Sequence, residues 1–215
     1  MRIAVFGASG RTGLPLIEAA LKSGHEIIAF ARSPEKLPQS RPGLTSIQID
    51  LSDPQAEKLL LSQNFKADVI ISSLGPDPKA KVGIMERSAA LIKAYAKKEG
   101  IKRLIWMTGA GVKLEGDRPS CMRSLVRTLM KLVAPLALSD SETAVNIIIA
   151  SDLDYTIARA PMLNDKGPSG RLQANDIPPK PAALSRIEIA DFLLDCAISD
   201  KFMKKAPFLS LGDKN

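Results

Sequence analysis

The sequence predicts an α/β fold in which a single, doubly wound sheet of mostly parallel strands carries helices on both faces. Two observations support this prediction. Short apolar runs alternate with amphipathic helical patterns along the chain, and a glycine-rich turn joins the first apolar run to the first helical pattern. No segment has the composition of a linker between two domains, so we expect one domain over residues 1–215.

The glycine-rich turn is the most informative of these features. The apolar run Ile3–Phe6 leads directly into the turn 7–13, whose sequence is Gly-Ala-Ser-Gly-Arg-Thr-Gly. The pattern over 14–22 predicts a helix that ends before Gly24, and the run 26–31 predicts a second strand. This unit is typical of a Rossmann-type dinucleotide-binding domain, in which the turn lets the backbone approach the pyrophosphate at the helix N-terminus. An ordinary strand-to-helix loop is the alternative.

The residue after the second strand indicates which dinucleotide is preferred. An acidic residue at this position hydrogen-bonds the ribose of NAD, whereas this chain has Arg32 followed by Ser33. A guanidinium can bind a 2′-phosphate that a carboxylate would repel, and Arg11 can approach the same region from the turn. We therefore predict NADP(H) rather than NAD(H). The alternative for Arg32 is a solvated charge at a strand end.

The next strands place small and polar residues at the same edge of the sheet. A short helical turn is expected over 34–37, and a third strand over 44–49 ends at Asp50 and Leu51, which could cover the adenine. Asp50 could instead be a turn or capping residue, a role for which Ser52 and Asp53 compete. A fourth strand over 69–75 ends in Ser73, Leu74 and Gly75, which we expect against the phosphate and ribose.

The second half of the chain continues the alternation. We expect a helix from about Val82 to Glu99, a fifth strand over 103–107 that ends at Thr108, and a sixth strand over 155–160 that ends at Pro161. Ser139 and Ser185 each begin a capping-box pattern, which predicts helices that start there, the first running to about Ala150. The segment 161–183 is rich in proline and has no period, so we expect a long irregular loop that forms the substrate side with the last helix. Residues 208–211 are expected to add an edge strand.

Composition excludes several classes of protein. The longest apolar stretch, 129–138, is interrupted by Lys131 and Pro135 and falls far short of the roughly 20 residues of a membrane span. The first strand begins at residue 2, so we expect no secretory signal. Cys121 and Cys196 have no metal-ligand spacing and are expected to be reduced thiols in a cytoplasmic protein.

The formal net charge of +7 raises the question of nucleic acid. Arg123, Arg127 and Lys131 are spaced by four on a predicted helix and form a basic stripe. Because no aromatic residues interleave with this stripe, we expect a solvated face rather than a nucleic-acid surface. An acidic protein partner is the other interpretation of the stripe.

Together, the glycine turn, Arg32, the Asp50-Leu51 pair, the strand end at Thr108 and the Arg159-Ala160-Pro161 strand end resemble the atypical short-chain dehydrogenase/reductase group. Within it, the chain is most similar to the small NADPH-dependent flavin and biliverdin-IXβ reductases and their NmrA-like relatives. The resemblance covers nearly the full length. The flavin reductases carry a serine after the strand-end threonine, whereas this chain has Gly109 there.

The resemblance implies a set of cofactor-binding residues. The turn residues Gly7, Ser9, Gly10, Arg11, Thr12 and Gly13 would hold the pyrophosphate, Arg32 and Ser33 the 2′-phosphate, and Asp50 and Leu51 the adenine. The remaining positions, which would line the nicotinamide and its ribose, are Ser73, Leu74, Gly75, Thr108, Pro161, Met162 and Leu163. Of these, Thr108 is the candidate for direct contact with substrate. The resemblance implies no metal.

The sequence lacks the acid of the larger dehydrogenase superfamily, which is the tyrosine of a Tyr-xxx-Lys pair. Tyr95 is followed four residues later by Glu99 and Tyr155 by Arg159, and the only histidine, His25, is expected at the far end of the sheet. Hydride transfer to a flavin, quinone or linear tetrapyrrole needs little from such an acid, because the acceptor itself stabilises the added charge. We therefore predict an NADPH-dependent reductase of a planar acceptor.

The alternative is an NmrA-like protein that senses NADP(H) without turnover and binds a partner through the basic stripe. An epimerase or dehydratase of sugar nucleotides is disfavoured by the missing Tyr-xxx-Lys pair.

Overall fold

The structure is a computed structural model that describes residues 1–62, 64–76, 83–117, 119, 124, 127–128, 135–179 and 182–212. Its ten strands are β1 Arg2–Phe6, β2 Glu26–Ala31, β3 Leu44–Gln48, β4 Val69–Ser72, β5 Arg103–Gly109, β6 Asp154–Ala160, β7 Met162–Asn164, β8 Leu172–Asn175, β9 Ala183–Ser185 and β10 Phe208–Leu211. The helices delineated within these described residues are α1 Gly13–Lys22, α2 Ala56–Ser62, α3 Ile84–Glu99, α4 Pro135–Ile149 and α5 Arg186–Ile198.

Eight strands form one sheet in the order β3-β2-β1-β4-β5-β6-β10-β8. Every pair is parallel except that of β10 with β8, and β7 pairs with β9 in a separate two-stranded sheet. The chain order reverses between β1 and β4, and α/β sheets bind their ligands at such a reversal. The predicted doubly wound α/β fold is therefore confirmed.

Each face of the sheet has its own core, because side chains of a strand alternate between faces. On one face, α3 and α4 cover an aromatic cluster in which Phe6 stacks on Phe30 at a ring separation of 4.5 Å and Tyr95 packs edge-on against both. On the other face, α1 and α5 cover the aliphatic side chains of β1, β2 and β4. Parallel strands that are buried on both faces are mostly apolar, as in β4, where Val69, Ile70 and Ile71 precede Ser72.

The C-terminal third departs from the sequence-based expectations. The segment 161–183, expected as an irregular loop, contains β7 and β8 and ends in β9. β10 was predicted as an edge strand, but it lies inside the sheet between β6 and β8. Strands of three or four residues carry too little periodic signal to be found by pattern, and their pairing across 21 to 39 residues is a long-range contact.

The start of α4 was also predicted wrongly. The helix already includes Pro135 and the residues that follow it, so it does not start at Ser139. Ser139 lies inside the helix, where its hydroxyl donates to the carbonyl of Leu136. In contrast, Ser185 does cap α5, since its hydroxyl accepts a hydrogen bond from the N–H of Ile187. The remaining predicted strands and helices agree with the structure to within three residues, apart from Val82 at the predicted start of α3, which lies outside the described residues. The pattern analysis did not delineate α2.

Candidate dinucleotide site

A cavity of about 970 Å³ runs along the carboxyl ends of β1, β2, β3 and β4. Because parallel strands all end at one edge, residues that are distant in sequence meet there. The predicted residues that line this cavity are Gly7, Ser9, Gly10, Arg11, Arg32, Ser33, Asp50, Leu51, Ser73, Leu74 and Gly75. Lining residues that the sequence analysis did not single out include Phe6, Phe30, Lys36, Ile49, Ser52, Gly83, Ile84, Met85, Arg87 and Ser88.

The glycine turn is closed by short-range hydrogen bonds and by contacts that only glycine permits. Gly7 adopts a φ of 78°, and the N–H of Gly10 donates to its carbonyl at 2.9 Å. A Cβ atom on Gly13 would lie 2.2 Å from the carbonyl oxygen of Gly7, well inside contact distance. The turn therefore presses directly on α1, which fixes where the helix begins.

The N-terminus of α1 has no acidic neighbour of its own. The side chain of Thr12, at the N-cap position, makes no capping hydrogen bond, and the first turn of the helix contains no acidic residue. Helix N-termini carry a partial positive charge and favour anions. Thr12 and Gly13 themselves are buried behind the turn and line neither cavity.

One end of the cavity is basic. Arg11, Arg32 and Lys36 all line it and are exposed, and the turn of 3₁₀ helix over Pro34–Lys36 brings Lys36 to the same end as Arg32. Sequence analysis missed Lys36, although a lysine four residues after Arg32 on a predicted helical turn was a usable signal. The two cations Arg32 and Lys36 at one end of the cavity suit a ligand with a terminal phosphate.

Asp50 is a turn residue that also lines the cavity. Its Oδ1 accepts from the N–H of Ser52 at 2.9 Å and from the Ser52 hydroxyl at 2.6 Å. These two hydrogen bonds, assisted by the charge of Arg32, hold the pKa of Asp50 below its usual value. Asp53 in turn accepts from the N–H of Gln55 ahead of α2.

Arg87 ties the two long walls of the cavity together. From α3, its Nε donates to the carbonyl of Leu51 at 2.8 Å, and one terminal nitrogen donates to the carbonyl of Asp53 at 2.9 Å. These two carbonyls belong to the loop between β3 and α2, so Arg87 fixes the distance between that loop and α3. An arginine in a helix pattern gave no sequence signal for this contact, which joins residues more than 30 positions apart.

Ser73 joins the end of β4 to the glycine turn. Its hydroxyl lies 3.2 Å from the carbonyls of Phe6 and Gly7, so it braces the turn from the neighbouring strand. A Cβ on Gly7 would come within 3.1 Å of Ser73 and Leu74, which shows how closely the two loops pack.

A second cavity, of about 120 Å³, lies next to the first, at the ends of β5 and β6. Leu74, Gly75 and Met85 line both cavities. The second is completed by Pro76, Met107, Thr108, Gly109, Ala160, Pro161 and Leu163. None of these described lining residues carries a titratable side chain. Met162 does not line it and is 71% exposed.

The ends of β5 and β6 are held by a buried ion pair beside this second cavity. Arg159 donates to Asp117 at 2.6 Å and to the carbonyl of Ala206 at 2.8 Å, and its guanidinium lies 3.5 Å from the ring centre of Phe208. Arg159 and Asp117 are both almost fully buried. The Arg159-Ala160-Pro161 strand end is therefore rigid, which fixes Pro161 against Thr108 and Gly109.

The segment after β7 is anchored to the first turn of α5. Glu188 accepts from the Ser169 hydroxyl and the N–H of Gly170, both at 2.8 Å, and Arg186 pairs with Asp165 at 2.6 Å. Burial alone would raise the pKa of Glu188, but hydrogen bonds from Ser169, Gly170 and Ser185 outweigh it and lower the pKa. The Ser185 capping box thus also holds residues 165–170.

The tyrosines and the histidine lie away from both cavities. Tyr95 is fully buried in the core, where its hydroxyl donates to the carbonyl of Phe65 and burial raises its pKa far above the usual value. Tyr155 lies near the start of β6, and His25 precedes β2 at the end of the sheet opposite the cavities. None of these three residues lines either cavity.

The two cysteines and the basic stripe are only partly within the described residues. Cys196 is fully buried, and burial raises its pKa to about 12, so it is an inert thiol. Cys121, Arg123 and Lys131 lie outside the described residues. The remaining member of the stripe, Arg127, pairs with Glu142 at 2.5 Å and donates to the carbonyl of Gly111. Arg127 therefore belongs to an ion pair rather than to an unpartnered basic face.

Within the described part of the chain, no helix is both long enough and apolar enough to cross a membrane.

Comparison with known proteins agrees with this site. Residues 7–200 match the model of the NAD(P)H-binding family, which is most of the chain. The oxidoreductase ylbE from Lactococcus lactis is similar in structure with a TM-score of 0.78 at 19% identity, covering 100% of this chain and 92% of that one.

Two further solved structures are similar over the whole chain. ChuY, an anaerobillin reductase from Escherichia coli O157:H7, has a TM-score of 0.78 at 22% identity, covering 100% of this chain and 99% of that one. A short-chain dehydrogenase/reductase from Veillonella parvula in complex with NADP has a TM-score of 0.78 at 18% identity, covering 100% and 95%. The chain therefore belongs to the NAD(P)H-binding family, and it shares its fold with these solved structures.

Proposed function

We propose that the protein is an NADPH-dependent oxidoreductase that transfers hydride to a planar acceptor, namely a flavin, a quinone or a linear tetrapyrrole. The observation that carries the proposal is that the two cavities adjoin. A large cavity with a basic end shares the lining residues Leu74, Gly75 and Met85 with a small cavity that has no titratable side chain among its described lining residues. Such a pair of cavities suits a dinucleotide whose redox-active ring meets an apolar surface.

The residues present fit NADP(H) on structural grounds. The Gly7–Gly13 turn leaves no room for side chains where the backbone packs against α1, and the α1 N-terminus has no acidic side chain in its first turn. The pyrophosphate would lie against Gly7, Ser9, Gly10 and Arg11. Thr12 and Gly13 would not contact the pyrophosphate; they would determine where α1 begins.

The two ends of the larger cavity would hold the remaining groups of the dinucleotide. Arg32, Ser33 and Lys36 would bind the 2′-phosphate, which favours NADP(H) over NAD(H) because the two nearby cations stabilise the additional charge. Asp50 and Leu51 would lie against the adenine, in a loop that Arg87 holds in place. Ser73, Leu74 and Gly75 would line the ribose next to the nicotinamide.

The acceptor side would be formed by Thr108, Pro161 and Leu163, with the backbone of Met162 beside them and with the 161–183 segment and α5 behind. When bound, NADPH supplies a hydride to an acceptor held against its nicotinamide ring. The chain contributes positioning and exclusion of water through Met85, Met107 and Leu163. Thr108 offers a hydroxyl that can hydrogen-bond a polar atom at the edge of the acceptor. Because flavins and quinones accept hydride without an enzymatic acid, the neutral lining favours them over ketones.

The alternative function is an NmrA-like sensor that binds NADP(H) without turnover and recruits a protein partner through Arg123, Arg127 and Lys131. The ion pair of Arg127 with Glu142 reduces the basic surface available to such a partner. A sugar-nucleotide epimerase is disfavoured, because Tyr95 is buried in the core and Tyr155 lies near the opposite end of β6.

Turnover separates these functions. The purified protein would be mixed with NADPH and, in separate reactions, with FMN, riboflavin, menadione or biliverdin, and the loss of nicotinamide absorbance followed. We expect steady-state oxidation of NADPH with at least one of these acceptors and slower oxidation of NADH. Tight NADPH binding without oxidation by any of them would reject the reductase and support the sensor.

A further inference from the structure

α3 begins at the cavity, but its N-terminus is closed by a residue from another helix. Gly83, at the N-cap position of α3, has a φ of 91° and no side chain with which to cap the helix. Instead Asp140, on α4, accepts from the N–H of Met85 through Oδ2 and from the N–H of Glu86 through Oδ1, both at 2.9 Å. Both carboxylate oxygens therefore hold the first turn of α3 from a position 55 residues along the chain.

The two helix N-termini at the cavity thus differ in kind. α1 has neither a capping side chain nor an acidic residue in its first turn, whereas α3 has a carboxylate bound to two of its first N–H groups. A negative charge already occupies the end of α3, so an anionic ligand would bind at α1. The N-terminus of α3 is therefore not available as a phosphate site, and the contact with Asp140 has a different role.

Asp140 holds Met85, which lies at the junction, that is, where the two cavities share lining residues. Met85 lines both cavities and is 2% exposed, and its backbone N–H is the one bound by Oδ2. Asp140 is itself 6% exposed, so water does not readily replace the carboxylate. Loss of a buried cap of this kind would let the first turn of α3 fray, and Met85 would move with it.

We propose that Asp140 is a positioning residue that fixes Met85 where the nicotinamide meets the acceptor. This inference rests on the proposed function, because Met85 contacts the nicotinamide only if the dinucleotide binds as described above. Asp140 touches neither cavity and acts through the backbone of α3. Its role is to keep the first turn of α3, and with it Met85, in the position that binds the cofactor before the cofactor is present.

The test compares Asp140→Asn with wild type in the binding of two ligands. Adenosine 2′,5′-bisphosphate contains the adenine and the 2′-phosphate but no nicotinamide, so it does not extend to Met85. In Asp140→Asn, one oxygen still accepts a hydrogen bond while the new NH₂ faces an N–H donor. We expect the dissociation constant of NADPH to rise about fivefold while that of the bisphosphate changes by less than about twofold.

Asp68→Asn is the matched control. Asp68 also accepts a hydrogen bond from a distant backbone N–H, that of Arg2 at 2.7 Å, but it lies before β4 at the edge of the sheet opposite the cavities. This variant should lose stability without a change in the affinity for either ligand. Equal weakening of both ligands in Asp140→Asn, or a lower melting temperature with both affinities unchanged, would overturn the proposal.

Met85→Ala tests the same contact if Asp140→Asn does not fold. It removes the side chain and leaves both capped N–H groups in place, and we expect it to weaken NADPH but not the bisphosphate. Unchanged NADPH affinity in Met85→Ala would contradict the inference. None of these measurements depends on turnover, so failure of the inference is distinct from failure of the proposed reaction, which appears as absence of NADPH oxidation by the wild type.

Discussion

The two cavities of this protein are built in opposite ways. The larger one is formed by residues that directly follow β1, β2, β3 and β4, and its distinguishing groups are backbone N–H groups, hydroxyls and cations. The smaller one has no charged group among its described lining residues, most of which lie at the ends of β5 and β6 or in β7. On the proposed function, the cofactor would be recognised by charge and backbone, whereas the acceptor would be selected mainly by shape.

The largest effect is expected from Gly13→Ala. The added methyl group would lie 2.2 Å from the carbonyl oxygen of Gly7 and 2.5 Å from that of Ala8, so the turn must move away from α1. We expect NADPH affinity to fall by a factor on the order of 100 or more, with a lower melting temperature. Titration calorimetry and thermal unfolding measure the two effects.

Gly167→Ala is the control for Gly13→Ala, because its methyl group would meet nothing within 4 Å. It should fold with wild-type stability. Wild-type NADPH affinity in Gly13→Ala would mean that the turn does not hold the pyrophosphate.

The next largest effect is expected from Arg32→Asp, which tests the charge of the larger cavity. Replacing a cation by an anion beside the 2′-phosphate should weaken NADPH binding on the order of 100-fold and NADH binding only a few-fold. Arg41→Asp is the control, because Arg41 pairs with Glu18 and does not line the cavity. Equal loss of affinity for both dinucleotides would refute the assignment of Arg32.

A smaller effect is expected from Arg87→Met, which removes the hydrogen bonds to Leu51 and Asp53 but keeps the length of the side chain. The adenine loop would then move relative to α3, and we expect about tenfold weaker binding of both NADPH and adenosine 2′,5′-bisphosphate. This pattern differs from that of Asp140→Asn, in which only NADPH should be affected. Lys93→Met, an exposed position on the same helix, provides the control.

Gly109→Ser tests the smaller cavity and restores the serine found in the flavin reductases that this chain resembles. A Cβ at this position meets nothing within 4 Å, so the variant should fold and bind NADPH as the wild type does. We expect the relative kcat/KM for different acceptors to change about three- to tenfold, because a new hydroxyl enters an apolar site. Unaltered acceptor ratios would show that this wall does not touch the acceptor.

The smallest effect is expected from Glu188→Gln, behind the smaller cavity. Since the pKa of Glu188 is lowered below its ordinary 4.5, its ionised form stabilises the fold above that pH, and this stability is lost as the pH falls through the folded-state pKa. The variant should be about 1 kcal/mol less stable near neutral pH, and this difference should shrink in acid. Chemical unfolding at several pH values measures it, and a difference that stays constant with pH would contradict the role given to the carboxylate.

Sequence reasoning succeeded where a function is encoded in consecutive residues. The turn 7–13, the arginine after β2 and the Ser73-Leu74-Gly75 strand end each follow an apolar run that is itself readable, so both the strand and its terminal residues could be located. The parallel order of the strands then placed them at one edge. Lys36 could have been found in the same way, because it lies on a helical turn that was predicted.

The failures concern contacts between distant segments. The Ser139–Glu142 pattern has the form of a capping box, yet the structure uses its Asp140 to cap α3 and its Glu142 to accept hydrogen bonds from Arg127 and the N–H of Lys113. The segment 161–183 lacks a period because its strands are short and find their partners in β9 and β10. A local pattern predicts that a carboxylate accepts hydrogen bonds, but it does not predict which helix supplies the N–H donors.

The sequence by itself therefore determined the doubly wound sheet, the position of the dinucleotide turn and the absence of a Tyr-xxx-Lys acid, because each depends on residue type and short spacing along the chain. Only the tertiary structure decided that Arg87 and Asp140 brace the cavity, that Met85 lies at its junction and that the second cavity is lined by neutral side chains. These features depend on which side chains meet after the sheet has formed, and packing between segments more than 30 residues apart leaves no mark on the local pattern of either segment.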